Sequence, residues 1–162
     1  MFKSVSGGGM VAQQLIRIRD PKRGDMGTIL DIEYRSFKDP YPLSLLNRLH
    51  EMHPDGFLVA ELQGRVVGYV IGVVRWGLTG HILAIAVDPP YRRQGVGTAL
   101  VTSILDRLRT KGAKQVRLEV RKSNLAARQF YLKLDFAERE EIPYYYEDGE
   151  TAVVMSMNFD KV

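Results

Sequence analysis

The sequence predicts a single α+β domain with a mixed, mostly antiparallel sheet of about seven strands and about four helices. Segments with the two-residue hydrophobic period of strands alternate with segments of the helical period. Some strand candidates are joined by tight turns, as in hairpins, and others by a helix, as in parallel crossovers. The length of 162 residues fits one domain with a sizeable core.

The first third of the chain indicates one strand and two helices. Apolar and basic residues alternate in Leu15–Arg19, which is typical of a short strand. A helix is predicted to begin at Asp25, and the prolines on either side of Tyr41 must end it because they remove amide donors. A second short helix is predicted over 43–52. The apolar face of the first helix is expected to consist of Met26, Ile29, Leu30, Tyr34 and Phe37.

The remaining elements follow from the same patterns. The Gln63–Gly64 turn separates two strand candidates, and the helix over 98–111 carries an apolar stripe that Gly112 closes. A turn at 147–149 joins the last two strands. The predicted strands are 57–62, 65–76, 81–87, 116–120, 137–145 and 151–159, and the last helix is 124–134.

The N-terminus is predicted to be a flexible leader over residues 1–12, with the folded domain over 13–162. Three consecutive glycines and the lack of an apolar segment argue against a signal peptide. The most apolar stretch, Val66–Val74, is too short to span a bilayer, so no membrane association is expected. The absence of cysteine excludes disulfides and thiolate chemistry, and a cytoplasmic location is expected.

The charge balance is mildly basic, with 23 Lys and Arg against 19 Asp and Glu and a pI near 9.4. Such a balance suits an anionic small ligand or a nucleic acid. The basic residues are scattered and are not interleaved with an aromatic platform, so no specific nucleic-acid partner is expected. A nucleic-acid- or ribosome-binding module is kept as the alternative from a different functional class.

One segment, Asp88–Thr98, carries a chemical signal. Gly95 and Gly97 allow close approach to the backbone just where a helix begins. Unpaired amides at a helix N-terminus bind anions such as phosphates, and Arg92 and Arg93 add positive charge. The spacing fits neither a P-loop nor the dinucleotide fingerprint. A basic turn without a ligand explains the same residues.

Three motifs give the sequence a resemblance to a known family. Arg92-x-x-Gly95-x-Gly97 matches the Q/R-x-x-G-x-G/A signature of the GNAT N-acetyltransferases. The segments 118–124 (LEVRKSN) and 130–136 (FYLKLDF) resemble the RimI branch. The tail 144–152 (YYYEDGETA) is similar to that of NatA-type catalytic subunits and their archaeal relatives. The resemblance spans most of the chain, with the motifs in the family's order.

The resemblance implies the GNAT fold, with acetyl-CoA as cosubstrate. In that family the pantetheine arm bonds to the backbone of the strand before the turn, which splays from its neighbour. The turn itself binds the pyrophosphate. The positions that the resemblance assigns to the coenzyme are Ile85, Ala86, Val87, Arg92, Arg93, Gln94, Gly95, Val96, Gly97, Thr98, Asn124, Tyr131 and Lys133.

The resemblance also assigns the catalytic residues. Glu119 would be the general base, with a pKa raised by partial burial, and Tyr131 the acid that protonates the departing thiolate. His81 would lie at the peptide end of the site, as a second base or as a metal partner of Glu119. Two ligands make a poor metal site, so no metal is expected. From the residues alone, Glu119 is equally an outward-facing partner of Arg117 or Arg121.

The implied function is acetylation of the free α-amine of a protein or peptide by direct attack on acetyl-CoA. Asp39, Tyr41 and Tyr146 would contact the substrate from two loops, although three consecutive tyrosines also suit a strand that covers the core. A ribosome or an auxiliary subunit would be a possible partner. The alternatives are a lysine or small-molecule acetyltransferase and a non-catalytic acyl-CoA sensor on the same fold.

Overall fold

The computed structural model describes residues 15–159 and, before them, only the backbone of two short strands. These strands, Lys3–Ser4 and Met10–Val11, pair antiparallel. The remainder of the predicted leader over residues 1–12 lies outside the described residues. The helices are α1 Met26–Ser36, α2 Leu43–Met52, α3 Val96–Thr110 and α4 Leu125–Lys133. The strands of the main sheet are β1 Ile16–Arg19, β2 Phe57–Leu62, β3 Arg65–Arg75, β4 Thr79–Val87, β5 Gln115–Arg121, β6 Ala137–Ile142 and β7 Ala152–Asn158.

The main sheet has seven strands in the order β1-β2-β3-β4-β5-β7-β6. All neighbouring pairs are antiparallel except β4 and β5, which α3 joins as a crossover. The predicted α+β class and the mixed, mostly antiparallel sheet are therefore confirmed. None of the described helices combines the length and apolarity that crossing a membrane would require.

The two faces of the sheet are covered by different helices. Alternate residues of β2 point to opposite faces: Leu58 belongs to the cluster under α3, and Phe57 belongs to the cluster under α1 and α2. The predicted stripe of α3 is buried, with Leu100 and Ile104 fully inaccessible. Both faces thus have a packed apolar layer.

The predicted apolar face of α1 is partly wrong. Met26 and Ile29 are buried as expected, but Tyr34 is 59% exposed and Phe37 is 39% exposed. The buried positions of the last turns are Ile32 and Glu33. The helix therefore directs the carboxyl group of Glu33 towards the sheet. The hydrophobic pattern had instead predicted that the rings of Tyr34 and Phe37 would be buried.

The start of one helix and the end of one strand also differ from the sequence prediction. α3 begins at Val96 because Gly95 adopts a left-handed backbone conformation, with φ of +87°, just before it. β6 ends at Ile142, well before Tyr145, since Pro143 follows and Tyr144 has a positive φ. The tyrosines therefore lie in a loop and do not form part of a strand.

The separation of β4 from β5 positions the functional site. Their parallel pairing covers only three residue pairs, which end at His81 with Arg117. β3 continues to pair with β4 as far as Val87, but on the β5 side the edge of β4 beyond His81 has no strand partner in the described part of the chain. A β-bulge at Leu83 increases the local bend. The sheet consequently opens into a V-shaped cleft.

Replacement of Gly56 by alanine should destabilise the fold. The added Cβ would stand 2.1 Å from the carbonyl oxygen of Gly72, a backbone atom that cannot rotate away. Overpacking of this kind costs about 1–3 kcal/mol, measurable by urea unfolding. Gly27→Ala is the matched control, because Gly27 lies in the first turn of α1 and its added Cβ would have no neighbour within 4 Å. That change should leave the stability unchanged or raise it by up to about 1 kcal/mol, and a Gly56→Ala variant as stable as the wild type would contradict the packing described.

Candidate active site

A cleft of about 690 Å³ lies between the diverging ends of β4 and β5. The loop between α1 and α2 and the loop between β6 and β7 border it. Its inner walls are apolar, and several carboxylates and hydroxyls face it. The residues that line it include Glu33, Asp39, Tyr41, Leu83, Ile85, Glu119, Arg121, Asn124, Tyr131, Tyr145 and Tyr146. The cleft thus gathers side chains that are separated widely in sequence.

Glu119 is held at the point where β4 and β5 separate. Its Oε1 accepts a hydrogen bond from His81 Nε2 at 2.7 Å, and its Oε2 accepts one from Arg117 Nε at 2.8 Å. The glutamate side chain is 9% exposed. The carboxylate therefore pairs with Arg117, one of the two expected partners, but it is buried and not outward-facing, and it lines the cleft.

Arg75 determines the tautomer of His81. Its guanidinium approaches His81 Nδ1, with Nε at 3.1 Å. A guanidinium can only donate, so Nδ1 must be the accepting nitrogen and the ring proton must be on Nε2. The Nε2–H group donates to Glu119. His81 is 5% exposed, and its one lone pair faces Arg75 rather than the cleft.

The pKa of Glu119 shifts in the direction opposite to the one predicted. Burial by itself raises the pKa of this carboxyl, but the hydrogen bonds from His81 and Arg117 outweigh burial and hold the pKa below its ordinary value. The sequence had indicated Arg117 as a partner, since residues two apart on a strand share a face, but it did not indicate that His81 would donate to the same carboxylate. Glu119 is therefore an ionised acceptor at neutral pH.

Tyr131 lies in α4 with its ring buried among Phe130 and Phe136. Only 4% of the residue is exposed, and burial raises its pKa, so the phenol keeps its proton at neutral pH. No partner for the hydroxyl is present among the described residues, while the side chain lines the cleft. The hydroxyl is thus free to donate to a molecule bound there.

The two predicted substrate loops meet at Arg121. This guanidinium bonds to Asp148 at 2.9 Å and contacts Asp39 of the opposite loop at 3.4 Å. It also lies over the ring of Tyr146, 4.1 Å from the centroid. Tyr41 extends from the first loop, and its hydroxyl donates to the Leu83 carbonyl at 3.3 Å. The structure therefore brings Asp39, Tyr41 and Tyr146 together around one cleft.

The positions assigned to the coenzyme fall into two groups. Ile85, Asn124 and Tyr131 line the cleft, and Asn124 also caps α4 by accepting from the Ala127 amide at 3.1 Å. The others lie outside the lining of the cleft: Ala86, Val87, the turn over 92–95, the start of α3 over 96–98, and the exposed Lys133. The start of α3 has no side-chain cap, so its first amides remain available to an anion.

Two residues of the turn have structural contacts that the sequence did not indicate. Arg92 Nε donates to the Val87 carbonyl at 2.8 Å, which braces the end of β4. A Cβ at Gly97 would meet the Phe130 ring at 3.2 Å. Gly97 therefore also permits close packing between α3 and α4.

Sequence reasoning missed four polar residues of the site. Glu33 was hidden on a helix stripe that was expected to be apolar, although its spacing from Met26 and Ile29 is a usable signal. Arg75 and Arg121 gave no signal, because their partners come from distant segments. Tyr145, in the middle of the tyrosine triplet, also lines the cleft.

Comparison with known proteins supports this geometry. The sequence matches the Acetyltransferase (GNAT) family over residues 26–136. An uncharacterised N-acetyltransferase of Methanocaldococcus jannaschii is 42% identical, covering 85% of this chain and 88% of the relative. An N-alpha-acetyltransferase of Sulfurisphaera tokodaii is 35% identical, covering 86% and 91%. The crystal structure of Ard1 from Thermoplasma volcanium superposes with a TM-score of 0.86 at 34% identity, covering 90% of this chain and 99% of that one.

These matches confirm the family that the three motifs had indicated. The matched region runs from the start of α1 to the end of α4 and includes the turn, the cleft strands and Tyr131. Enzymes of this family take the acetyl group from acetyl-CoA. The chain belongs to the GNAT family of acetyltransferases and is an acetyl-CoA-dependent N-acetyltransferase.

Proposed function

We propose that this enzyme acetylates the α-amine at the N-terminus of a protein or peptide. The observation that supports amine acetylation is the ionised Glu119, which lines the same cleft as the protonated Tyr131; the choice of the α-amine rests on the relatives. Relatives named N-alpha-acetyltransferase in Sulfurisphaera tokodaii and Sulfolobus acidocaldarius, both 35% identical, support this substrate class.

The charge of the cleft favours an amine substrate. The acidic residues that line it are Glu33, Asp39, Glu119 and Glu147. Its two lining cations, Lys38 and Arg121, pair with acidic residues of the loop between β6 and β7. Carboxylates in a concave, partly apolar site attract an ammonium group strongly. An α-amine has a pKa near ~8 and a lysine side chain near ~10.4, so an α-amine loses its proton more readily at neutral pH.

The proposed reaction is a direct transfer. The neutral amine attacks the thioester carbonyl carbon, forming the C–N bond, and the tetrahedral species then expels the thiolate as the C–S bond breaks. Glu119 accepts a proton from the nitrogen, which becomes far more acidic once it is bonded to carbon. Tyr131 donates its phenolic proton to the thiolate and is reprotonated from solvent.

We assign His81 a positioning role rather than the role of second base that the resemblance suggested. Both of its ring nitrogens already have partners, and its proton is directed at Glu119. His81 and Arg117 each donate a hydrogen bond to Glu119. These two bonds fix the carboxylate in place and keep it ionised. His81 thereby prepares the base without contacting the reacting atoms.

For the coenzyme, we propose that the pantetheine arm bonds to the free edge of β4 and that the diphosphate binds the first amides of α3. The bent, unpaired edge near Leu83 offers backbone donors and acceptors. The uncapped helix start offers amides and a favourable dipole. The apolar wall near Ile85 suits the aliphatic part of the arm.

Two alternatives are decided by experiment. Acetylation of lysine or of a small amine would use the same base and acid and would differ only in what the two loops admit.

A ribosome or an auxiliary subunit as partner remains a prediction. A relative from Bacillus subtilis, 32% identical, is named as a putative ribosomal protein bS18 alanine N-acetyltransferase.

Gly97→Val should weaken acetyl-CoA binding, since a branched side chain would cover the first amides of α3. We expect at least about a tenfold rise in Kd by calorimetry, which corresponds to about 1.4 kcal/mol. The new side chain also presses on Phe130, so a Gly97→Val, Phe130→Leu variant provides the control. If that second change restored the affinity, packing between α3 and α4 would be the cause, and the coenzyme assignment of Gly97 would be wrong.

Glu119→Gln should lower kcat by roughly 10²–10⁴-fold, the usual effect of losing a general base. His81→Ala should reduce kcat less, and the double variant should be no worse than Glu119→Gln alone because His81 acts through Glu119. Steady-state kinetics with one peptide checks all three. Independent, multiplying losses would instead show that His81 has a catalytic role of its own.

Tyr146→Phe should reduce kcat/KM similarly for peptides that begin with Ser, Ala or Met, because a backbone contact does not depend on the first side chain. One lost hydrogen bond of about 0.5–1.5 kcal/mol corresponds to roughly a two- to twelve-fold loss.

The substrate class itself is tested by blocking the peptide α-amine. Turnover should cease even when the peptide contains an internal lysine. Mass spectrometry that located an acetyl group on that lysine would overturn the proposed function in favour of lysine acetylation.

A further inference from the structure

We propose that Glu33 is a positioning residue for the loop between α1 and α2, which we call the substrate loop. Glu33 holds Tyr41 of this loop in place beside the cleft. This inference rests on the proposed function, because it gives that loop the task of receiving the peptide. The proposed mechanism leaves Glu33 unused, although it is among the most buried charged side chains of the described chain, with 2% exposed.

The burial of Glu33 requires a compensating gain. It lies in the last turns of α1, where an apolar residue would pack at lower cost. The carboxyl is paired on both oxygens. Oε1 accepts from the hydroxyl of Tyr69, a fully buried residue of β3, and Oε2 accepts from the backbone amide of Tyr41 at 2.8 Å.

The hydrogen bond from the Tyr41 amide to Glu33 is the contact on which the inference rests. Tyr41 is fixed by Glu33 at its amide and by the Leu83 carbonyl at its hydroxyl. Pro40 and Pro42 restrict the backbone on either side. Leu83 is the bulged residue of β4, so the loop is anchored to the strand that opens the cleft. The carboxyl of Glu33 is thus the link between the sheet and the loop.

The protonation state of Glu33 should influence this link. Burial raises its pKa to about 6; the Tyr41 amide opposes the increase, and Asp39 of the loop adds to it. The titratable groups that face it are Tyr69 from β3, Tyr41 and Asp39 from the loop and, across the cleft, Glu119 from β5. An ionised acceptor forms the stronger hydrogen bond, so the Tyr41 contact weakens when Glu33 gains a proton as the pH falls through about 6.

The test compares wild type with Glu33→Gln, which is neutral at every pH and keeps the shape of the side chain. At pH 7.5 we expect the KM for a peptide to rise about fivefold, while the KM for acetyl-CoA stays within about twofold. At pH 5 the two proteins should have the same peptide KM, because the wild-type carboxyl is then protonated. Ionisation of the peptide amine affects both proteins equally and cancels in the ratio.

Two further variants sharpen the comparison. Asp31→Asn, an exposed acid on the same helix, should leave both KM values unchanged at every pH. Tyr69→Phe removes a donor to the carboxylate, so the pH at which peptide KM rises should move upward. An equal effect of Glu33→Gln on both KM values, or a difference that persists to pH 5, would overturn the proposal.

Hydrogen–deuterium exchange gives a readout that does not need turnover. At pH 7.5 the segment 37–45 should exchange faster in Glu33→Gln than in wild type, whereas α3 should not change. Unchanged exchange in the loop would refute the positioning role even if the peptide were not a substrate. Absence of wild-type α-amine acetylation, by contrast, would refute only the proposed function.

Discussion

The early end of the pairing between β4 and β5 is the constraint on which the site depends. After three parallel pairs, the two strands diverge, and among the described strands none pairs with that edge of β4 beyond His81. A sheet interior without a partner strand would expose unpaired amides and carbonyls, which is costly unless a ligand or water satisfies them. The fold thereby creates a place for an extended molecule at the centre of the sheet, and the apolar layers on both faces keep that place open.

At the point of divergence, a chain of hydrogen bonds holds the carboxylate of Glu119, which we propose as the base. The series Arg75, His81, Glu119 and Arg117 runs across β3, β4 and β5, with each contact at hydrogen-bond distance. Arg75 also stacks on Trp76, with 4.4 Å between the guanidinium carbon and the ring centroid. Each contact restrains the next, so the ring of His81 is held with Nδ1 towards Arg75 and Nε2 towards Glu119.

The sequence was sufficient for the fold, and seven of the predicted site residues line the cleft: Asp39, Tyr41, Ile85, Glu119, Asn124, Tyr131 and Tyr146. The motif around Gly95, the strand that contains Glu119 and the helix that contains Tyr131 all lie where their patterns indicated. What the sequence could not supply was pairing across the sheet. The pKa of Glu119 was predicted to rise because of its burial, whereas the hydrogen bonds from His81 of the neighbouring strand and from Arg117 of its own strand lower it. Glu33 was overlooked because hydrophobic periodicity predicts only which face of α1 is buried. It does not predict that the hydroxyl of Tyr69 in β3 donates a hydrogen bond to a carboxylate on that face.

The negative charge of Glu119 before the reaction also bears on how the product leaves. An amine near neutral pH approaches the cleft largely as a cation and is drawn to the carboxylate. Acetylation converts it into an uncharged amide, which the same carboxylate does not attract and which lacks the proton that Glu119 would accept. Glu119 therefore attracts the peptide less strongly once the C–N bond has formed. His81 and Arg117 keep the pKa of Glu119 low, so in the proposed mechanism the carboxyl releases the proton that it has accepted and is charged again for the next amine, while the amide product is bound less strongly than the amine was.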